Sequence, residues 1–143
     1  MNGPGPVPFD RRTVALVAVG GACGAVVRTA CTERFTTPAG GFPVAVLVIN
    51  LVGALLLGAL MGSVARRPED SWRRPLLAIG ILGGFTTFST LCVDAARLAA
   101  DGRAGLAGLD LLVTSVGGVV AVAVGLMFPR GGRSVEPAVE GEE

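Results

Sequence analysis

Four long apolar runs, joined by shorter polar or proline-containing stretches, dominate this sequence. They cover residues 13–27, 43–64, 76–98 and 106–128. A helix rises about 1.5 Å per residue, so each run is roughly long enough to cross a hydrocarbon core about 30 Å thick, although the first is the shortest. We therefore predict an all-α membrane protein with one domain of four transmembrane helices at 11–129, in contact with the lipid bilayer. Disordered tails without function are predicted at 1–10 and, rich in acidic residues, at 130–143.

The first run has a second interpretation, a cleaved signal peptide. Arg11 and Arg12 precede the run, and small residues follow around Ala22 and Cys23, as at a cleavage site. Three further spans follow, which a secreted protein would not need, and Gly20 occupies a position where a lipoprotein site has a larger aliphatic residue. We expect this segment to stay in the mature chain.

The side chains that most enzymes use for general base or Schiff-base chemistry are scarce. The chain has no histidine, tyrosine or lysine, so all 12 basic residues are arginines. The sequence also has no phosphate-binding loop, no acidic metal cluster and no basic face with aromatic platforms. We predict that the protein is not an enzyme and does not bind nucleic acid.

The arginines divide unequally between the two sides of the predicted bundle. Four lie on or toward one side: Arg28, Arg34, Arg97 and Arg103. Eight lie on the side of the two termini: Arg11, Arg12, Arg66, Arg67, Arg73, Arg74, Arg130 and Arg133. Short arginine-rich loops remain cytoplasmic, so both termini and the loop at 66–74 are predicted to face the cytoplasm.

Small residues recur at intervals of four on three of the predicted helices. These ridges comprise Gly20 and Gly24, then Asn50, Ala54, Gly58 and Gly62, and lastly Gly117, Ala121 and Gly125. Membrane helices pack closely where small residues let their backbones approach, which is the interpretation we favour for most of these glycines. Four short helices do not easily enclose a water-free route, and the sequence has no internal repeat, so a second chain is expected to complete it.

The sequence GGFTTFST at 83–90 places two glycines, four hydroxyl groups and two aromatic rings inside the third run. Irregular, polar backbone is tolerated at membrane depth only when it is buried in protein or lines a passage. We predict that the third helix is broken near Gly83 to Thr86, which frees carbonyls for a cation and amides for an anion. Beyond the break, helical spacing aligns hydroxyl and charged side chains along one face: Thr86, Ser89, Thr90, Asp94 and Arg97.

Several of these polar groups have a purely structural alternative. Any single hydroxyl can bond to a carbonyl one turn earlier, Asn50 can fix helix packing through an interhelical hydrogen bond, and Arg28 can extend to the interface. As a set they offer donors, one arginine and ring edges, with almost no carboxylate inside the spans apart from Asp94. Such a lining favours a small, hard anion, because the edge of an aromatic ring is its positive part.

Three segments identify a family that the chain resembles. GGFTTFST at 83–90 closely resembles the third-helix signature of the CrcB or Fluc fluoride channels, and GGACGAVVR at 20–28 and VINLVG at 48–53 are similar to the first- and second-helix motifs. The resemblance spans roughly residues 12–128. It implies an antiparallel dimer of four-helix subunits in a prokaryotic plasma membrane. The activity it implies is passive and fluoride-selective, and lowers fluoride in the cytoplasm.

The resemblance also implies roles for individual residues. The backbone carbonyls of Gly83 and Thr86 would bind a structural sodium ion at the break, shared between the two subunits. The fluoride route would be lined by Asn50, Phe88, Ser89 and Thr90, with Arg28 toward its aqueous vestibule.

Two departures from the family pattern concern the same route. Leu91 stands where the family has a second phenylalanine, and Cys92 follows where serine is common. In the fourth helix Leu111 replaces a tyrosine, while Ser115, one turn later, keeps a hydroxyl on the route. Some family members are pairs of different subunits with fixed and opposite orientations. These departures, together with the eight-to-four arginine bias, lead to the hypothesis that this chain is one half of such a pair, with pairing to a second copy of itself as the alternative.

Two other function classes remain open. Small multidrug transporters are also antiparallel dimers of four-helix chains, but proton-coupled cation export requires a buried carboxylate and the first helix has none. A non-conducting structural subunit would use the small-residue ridges for packing, although it would not need the hydroxyl stripe.

Overall fold

The computed structural model describes residues 10–38, 41–64 and 72–128. Within these ranges all regular structure is helical, and four spans are long and apolar enough to cross a membrane, as predicted. The third span, Arg74–Ala100, consists of two helices, α3 and α4, so the four spans contain five helices. Most of both predicted tails and most of the 66–74 loop lie outside the described residues. The helices are α1 (Arg11–Arg34), α2 (Val44–Val64), α3 (π-helical Arg74–Leu82 followed by an α-helical turn, Gly83–Phe85), α4 (Phe88–Ala100) and α5 (Ala104–Met127).

Helix α1 is longer than the apolar run that predicted it. It begins after Asp10, whose carboxylate accepts hydrogen bonds from the Arg12 N–H at 3.1 Å and the Thr13 hydroxyl at 2.9 Å. Those bonds, the Thr13 bond foremost, lower the pKa of the Asp10 carboxyl. At its other end α1 continues past Arg28 to Arg34, and the Thr32 hydroxyl bonds back to the Arg28 and Thr29 carbonyls. Polar residues that satisfy their own hydrogen bonds can continue a helix beyond its apolar part.

The third span is interrupted, as predicted, but the interruption lies just beyond the glycine pair. Gly83 and Gly84 remain helical, whereas Thr86 (φ −76°, ψ 153°) and Thr87 (φ −146°, ψ 119°) are extended. Threonine, branched at Cβ, favours extended backbone, and the Thr87 hydroxyl accepts a hydrogen bond from the Thr90 N–H as the N-cap of α4. The two threonines therefore form the break.

Close packing explains Gly20 and Gly24 of α1 and Gly84 of α3. A Cβ at Gly20 would meet the Leu76 carbonyl oxygen, and a Cβ at Gly24 would meet that of Ile81 and approach the Phe85 nitrogen to 2.8 Å. Gly84 packs in the same way against the Gly21 carbonyl. The predicted ridge at Gly20 and Gly24 is thus confirmed, and the two segments run parallel because higher-numbered residues of α1 meet higher-numbered residues of α3.

Helices α2 and α5 form a second close pair. A Cβ at Gly58 would meet the Val122 carbonyl, and one at Gly125 would meet the Leu55 carbonyl and approach the Ala59 nitrogen to 2.7 Å. Helix α4 packs on α5, where Ala95, Leu98 and Ala107 form one buried cluster. Two predicted ridges therefore face each other, and the break between α3 and α4 lies beside α2.

The helix directions place the described arginines at both ends of the bundle. Arg11 and Arg12 begin α1, and Arg73 and Arg74 are at the start of the parallel α3, so these four share one end. Arg34, Arg97 and Arg103 lie at the opposite end, where α1 and α4 finish and α5 begins. This arrangement agrees with the grouping used to predict orientation.

Candidate functional site

Asn50, in the middle of α2, bonds to both backbone groups of Thr87 at the break. Its Nδ2 donates to the Thr87 carbonyl at 3.0 Å, and the Thr87 N–H donates to its Oδ1 at 2.8 Å. In the described part of the chain these are the hydrogen bonds that the Thr87 backbone makes, and Thr87 is buried. An amide carries two N–H donors, so Asn50 keeps one for another acceptor. The interhelical bond considered for Asn50 is present, and it stabilises the break.

Three hydroxyl groups form a cluster at the start of α4. The Thr87 Oγ1 lies 3.2 Å from the Ser89 Oγ and 3.0 Å from the Thr90 Oγ1. It also accepts the Thr90 N–H at 3.2 Å. Ser89 is exposed and Thr90 half-buried, so the cluster opens to the surface of the single chain. Hydroxyls beside the first turn of a helix, where N–H groups lack intrahelical partners, make a surface suited to an anion.

Thr87 was not among the residues that sequence reasoning selected. It stands directly before α4 and three residues before Thr90, a position that favours a capping hydroxyl. That local pattern could have identified it as the residue that joins the break to the hydroxyl cluster.

Phe88 and Leu91 have opposite environments although they are three residues apart. The Phe88 side chain is 74% exposed, whereas Leu91 is 2% exposed in the core of the same chain. The ring is therefore available to a ligand or a second chain, while Leu91 fills space between helices.

A groove of about 390 Å³ brings together Gly83, Thr86 and Ser115. The Thr86 hydroxyl bonds back to the Leu82 carbonyl at 3.0 Å, as does the Thr86 N–H. The Thr87 N–H, which would donate to the Gly83 carbonyl in a continuous helix, donates to Asn50 instead. Among the described residues, no hydrogen bond reaches the carbonyl oxygens of Gly83 and Thr86. Carbonyl oxygens that accept no hydrogen bond are free to bind a cation, so these two oxygens are suitable ligands for one.

The charged residues of the predicted route lie apart from the hydroxyl cluster. Arg28 is half-buried on α1, and within the described ranges no hydrogen bond or ion pair connects its side chain to Asn50 or Thr87. Arg97, at the far end of α4, lies 3.8 Å from the Asp94 carboxylate. The predicted stripe is thus divided, with hydroxyls at one end of α4 and an ion pair at the other.

Sequence reasoning was wrong to treat Asp94 as nearly the only carboxylate inside the spans. Asp110, on α5, is fully buried, and its Oδ1 accepts the Thr114 hydroxyl at 3.4 Å while its Oδ2 has no partner within the described residues. Leu111 and Ser115, selected from the sequence, are exposed on the single chain. An aspartate followed four residues later by threonine within an apolar run was the signal that could have identified the buried pair.

Comparisons with known proteins agree on one family. Residues 15–126 match the family described as CrcB-like protein, Camphor Resistance (CrcB). The chain is 43% identical over 110 residues to the fluoride-specific ion channel FluC 1 of Streptomyces coelicolor, covering 76% of this chain and 71% of that one. It is 42% identical to the fluoride-specific ion channels FluC of Novosphingobium aromaticivorans and Agrobacterium fabrum, each match covering 82% of this chain and 95% of the relative.

Proposed function

The chain belongs to the CrcB family, and we propose that it is a subunit of a passive, fluoride-selective channel that lowers cytoplasmic fluoride. The observation that carries this proposal is the break in the third span, where Asn50 satisfies the Thr87 backbone and three hydroxyls cluster beside it. Relatives named as fluoride-specific ion channels support the choice of ion, and a channel rather than an enzyme.

Fluoride needs hydrogen-bond donors to replace the water that it loses in the membrane. The hydroxyls of Ser89 and Thr90 and the remaining N–H of Asn50 supply neutral donors near the break. The exposed Phe88 ring can turn its positive edge to the ion while its apolar body excludes water. Ser115 extends this lining, Arg28 attracts anions to the entrance, and Leu91 supports the route from within the subunit.

We propose that the functional unit is a dimer of antiparallel subunits. Phe88 is too exposed on one chain to enclose an ion, and the groove at Gly83, Thr86 and Ser115 is open on the same chain. A second copy, or a homologous chain in the opposite orientation, would cover both. The arginine bias supports one orientation for this subunit, with both termini in the cytoplasm of a prokaryotic cell and its four spans in the plasma membrane. Two identical chains in an antiparallel dimer cannot share one orientation, so the bias favours the homologous partner over a second copy.

The carbonyl oxygens of Gly83 and Thr86 are proposed to hold a structural sodium ion. Bound there, the ion would supply positive charge that joins the two broken helices across the dimer. On the chain's side, the extended Thr86 and the Asn50 bond to Thr87 keep both carbonyls out of helical hydrogen bonds.

A fluoride-electrode recording from liposomes that hold the purified protein tests the channel proposal. We expect fluoride efflux without chloride efflux. Phe88→Ile should reduce it about tenfold or more, since a lost ring-edge contact of about 1.4 kcal/mol corresponds to a factor of ten. Phe128→Ile, which removes an exposed ring at the end of α5, is the matched control and should conduct normally.

The outcome with the unmodified chain separates the assemblies. Efflux from this chain alone shows a homodimer, whereas silence that a homologous partner restores shows a heterodimer. Silence in both preparations contradicts the proposed channel, whereas unchanged efflux in Phe88→Ile contradicts the proposed role of the Phe88 ring.

The sodium proposal predicts stability that depends on the cation. Because a ligand that binds only the folded state stabilises it, the melting temperature should be higher in sodium than in N-methylglucamine at equal ionic strength. Thr86→Val keeps the carbonyl and should keep this difference, although it removes the hydroxyl bond to Leu82. Equal melting temperatures in the two salts would contradict a bound sodium ion.

A further inference from the structure

Asp110 is a buried acid whose hydrogen bonding is incomplete. Its side chain has 0% exposure, and it lies six residues into a membrane-spanning helix. The Thr114 hydroxyl donates to Oδ1, but Oδ2 has no partner among the described residues. An ionised carboxylate in this position would leave a charged oxygen unsatisfied at membrane depth, which is among the most costly arrangements in a protein.

The two described helices that pack on α5 direct no positive charge to Asp110. Helix α5 packs on α2, which carries no ionisable residue over Val44–Val64, and on α4, which carries Asp94 and Arg97. Asp94 is a carboxylate and has the same sign as an ionised Asp110. Arg97 is directed to Asp94 and is largely exposed. Arg103 precedes Asp110 by seven residues, about 10 Å along the helix axis.

We propose that Asp110 is held as the neutral carboxylic acid and that its Oδ2–H is a hydrogen-bond donor in the interior between α4 and α5. Because Oδ1 accepts the Thr114 hydroxyl, the proposal places the acid proton on Oδ2. In this form the residue is an uncharged donor, whereas an ionised Asp110 would repel an anion. Donation toward fluoride, or toward water that accompanies it, rests on the proposed channel function.

The helix register places Asp110 at the level of Asp94 and its partner Thr114 at the level of the hydroxyl cluster. Ala107 packs with Ala95 and Leu98, and α5 runs antiparallel to α4. Moving three residues along α5 from Ala107, about 4.5 Å, brings Asp110 to the level of residues 92–95 of α4, beside Asp94. Four residues further, Thr114 reaches the level of residues 88–91, which include Ser89 and Thr90 of the hydroxyl cluster. The buried pair thus continues the polar interior from the break toward Asp94.

Infrared spectroscopy of the protein in bilayers tests the protonation state without measuring transport. At neutral pH we expect a carbonyl stretching band of a protonated carboxyl group that is lost in Asp110→Asn. The matched control is Asp101→Asn, which changes an exposed aspartate between α4 and α5 and should leave the band unchanged. A spectrum in which Asp110→Asn removes no such band would overturn the proposal.

Fluoride efflux tests the donor role separately. Asp110→Asn keeps a neutral donor of similar shape and should conduct within about threefold of the unmodified protein, whereas Asp110→Leu should lose about tenfold, the equivalent of one hydrogen bond. As pH rises far enough to ionise Asp110, efflux should fall in the unmodified protein but not in Asp110→Asn. Normal efflux in a folded Asp110→Leu would refute the donor role. If the unmodified protein conducts no fluoride with any partner, the channel proposal fails, and the infrared band still decides the protonation state.

Discussion

Asn50→Ala should remove about 2–4 kcal/mol of folding free energy and reduce fluoride efflux at least about tenfold, because both backbone groups of Thr87 lose the partner that they have in the described structure. Thr87 is buried, so water does not replace the amide. The break would then either become helical or leave an N–H and a carbonyl unsatisfied. Both outcomes misplace the hydroxyls of Ser89 and Thr90.

Thermal unfolding in detergent and efflux from liposomes together measure this effect. Ser63→Ala is the matched control, since it removes an exposed hydroxyl near the end of the same helix that bonds only locally to the Leu60 carbonyl. It should leave both quantities unchanged. Asn50→Ala with unaltered stability and efflux would show that the break does not depend on the interhelical bond.

Gly24→Ala should destabilise the protein by about 3 kcal/mol, at the upper end of the cost of overpacking. The added methyl group would meet the Ile81 carbonyl oxygen and the Phe85 nitrogen, which are backbone atoms of α3. A side chain could change rotamer to make room, but backbone atoms move only if the helices separate. Displacement of Phe85 would also disturb the adjacent break, so efflux should fall with stability.

Gly21→Ala provides a control on the same helix. A Cβ at Gly21 has no neighbouring atom within 4 Å among the described residues, and alanine is favoured over glycine in helices by about 1 kcal/mol. The same chemical change should therefore be neutral or stabilising at Gly21 and damaging at Gly24. Similar melting temperatures for the two variants would show that the α1 and α3 backbones do not pack as closely as described.

Much of the fold could be predicted because its signals are local in the chain. The apolar runs predict four spans, since length and hydrophobicity alone decide whether a helix can cross a bilayer. The ridge at Gly20 and Gly24 predicts close packing, because two residues four apart lie on the same face of a helix. The end of α1 at Arg34 was harder to predict from the sequence, because the last part of the helix is polar and extends beyond the apolar run that ends at 27.

The site was predicted only in part. The motif at 83–90 indicates a break, but glycine permits irregular backbone without requiring it, and here Gly83 and Gly84 remain helical while Thr86 and Thr87 extend. Asp110 lies within the apolar run at 106–128, and the spacing of residues in that run did not indicate that the Asp110 side chain faces the interior of the protein. The exposures of Phe88 and Leu91 likewise depend on the helices that pack against α4.

The sequence by itself determined the four spans, the small-residue ridges and the presence of hydroxyls within the third span. Each depends on residue type and on spacing within one helix. Only the tertiary structure decided which polar groups meet: Asn50 reaches Thr87 across 37 positions, and Asp110 becomes fully buried between helices. Hydrogen bonding and desolvation are properties of contacts between segments distant in the chain, and in a membrane they determine where polar groups can stay.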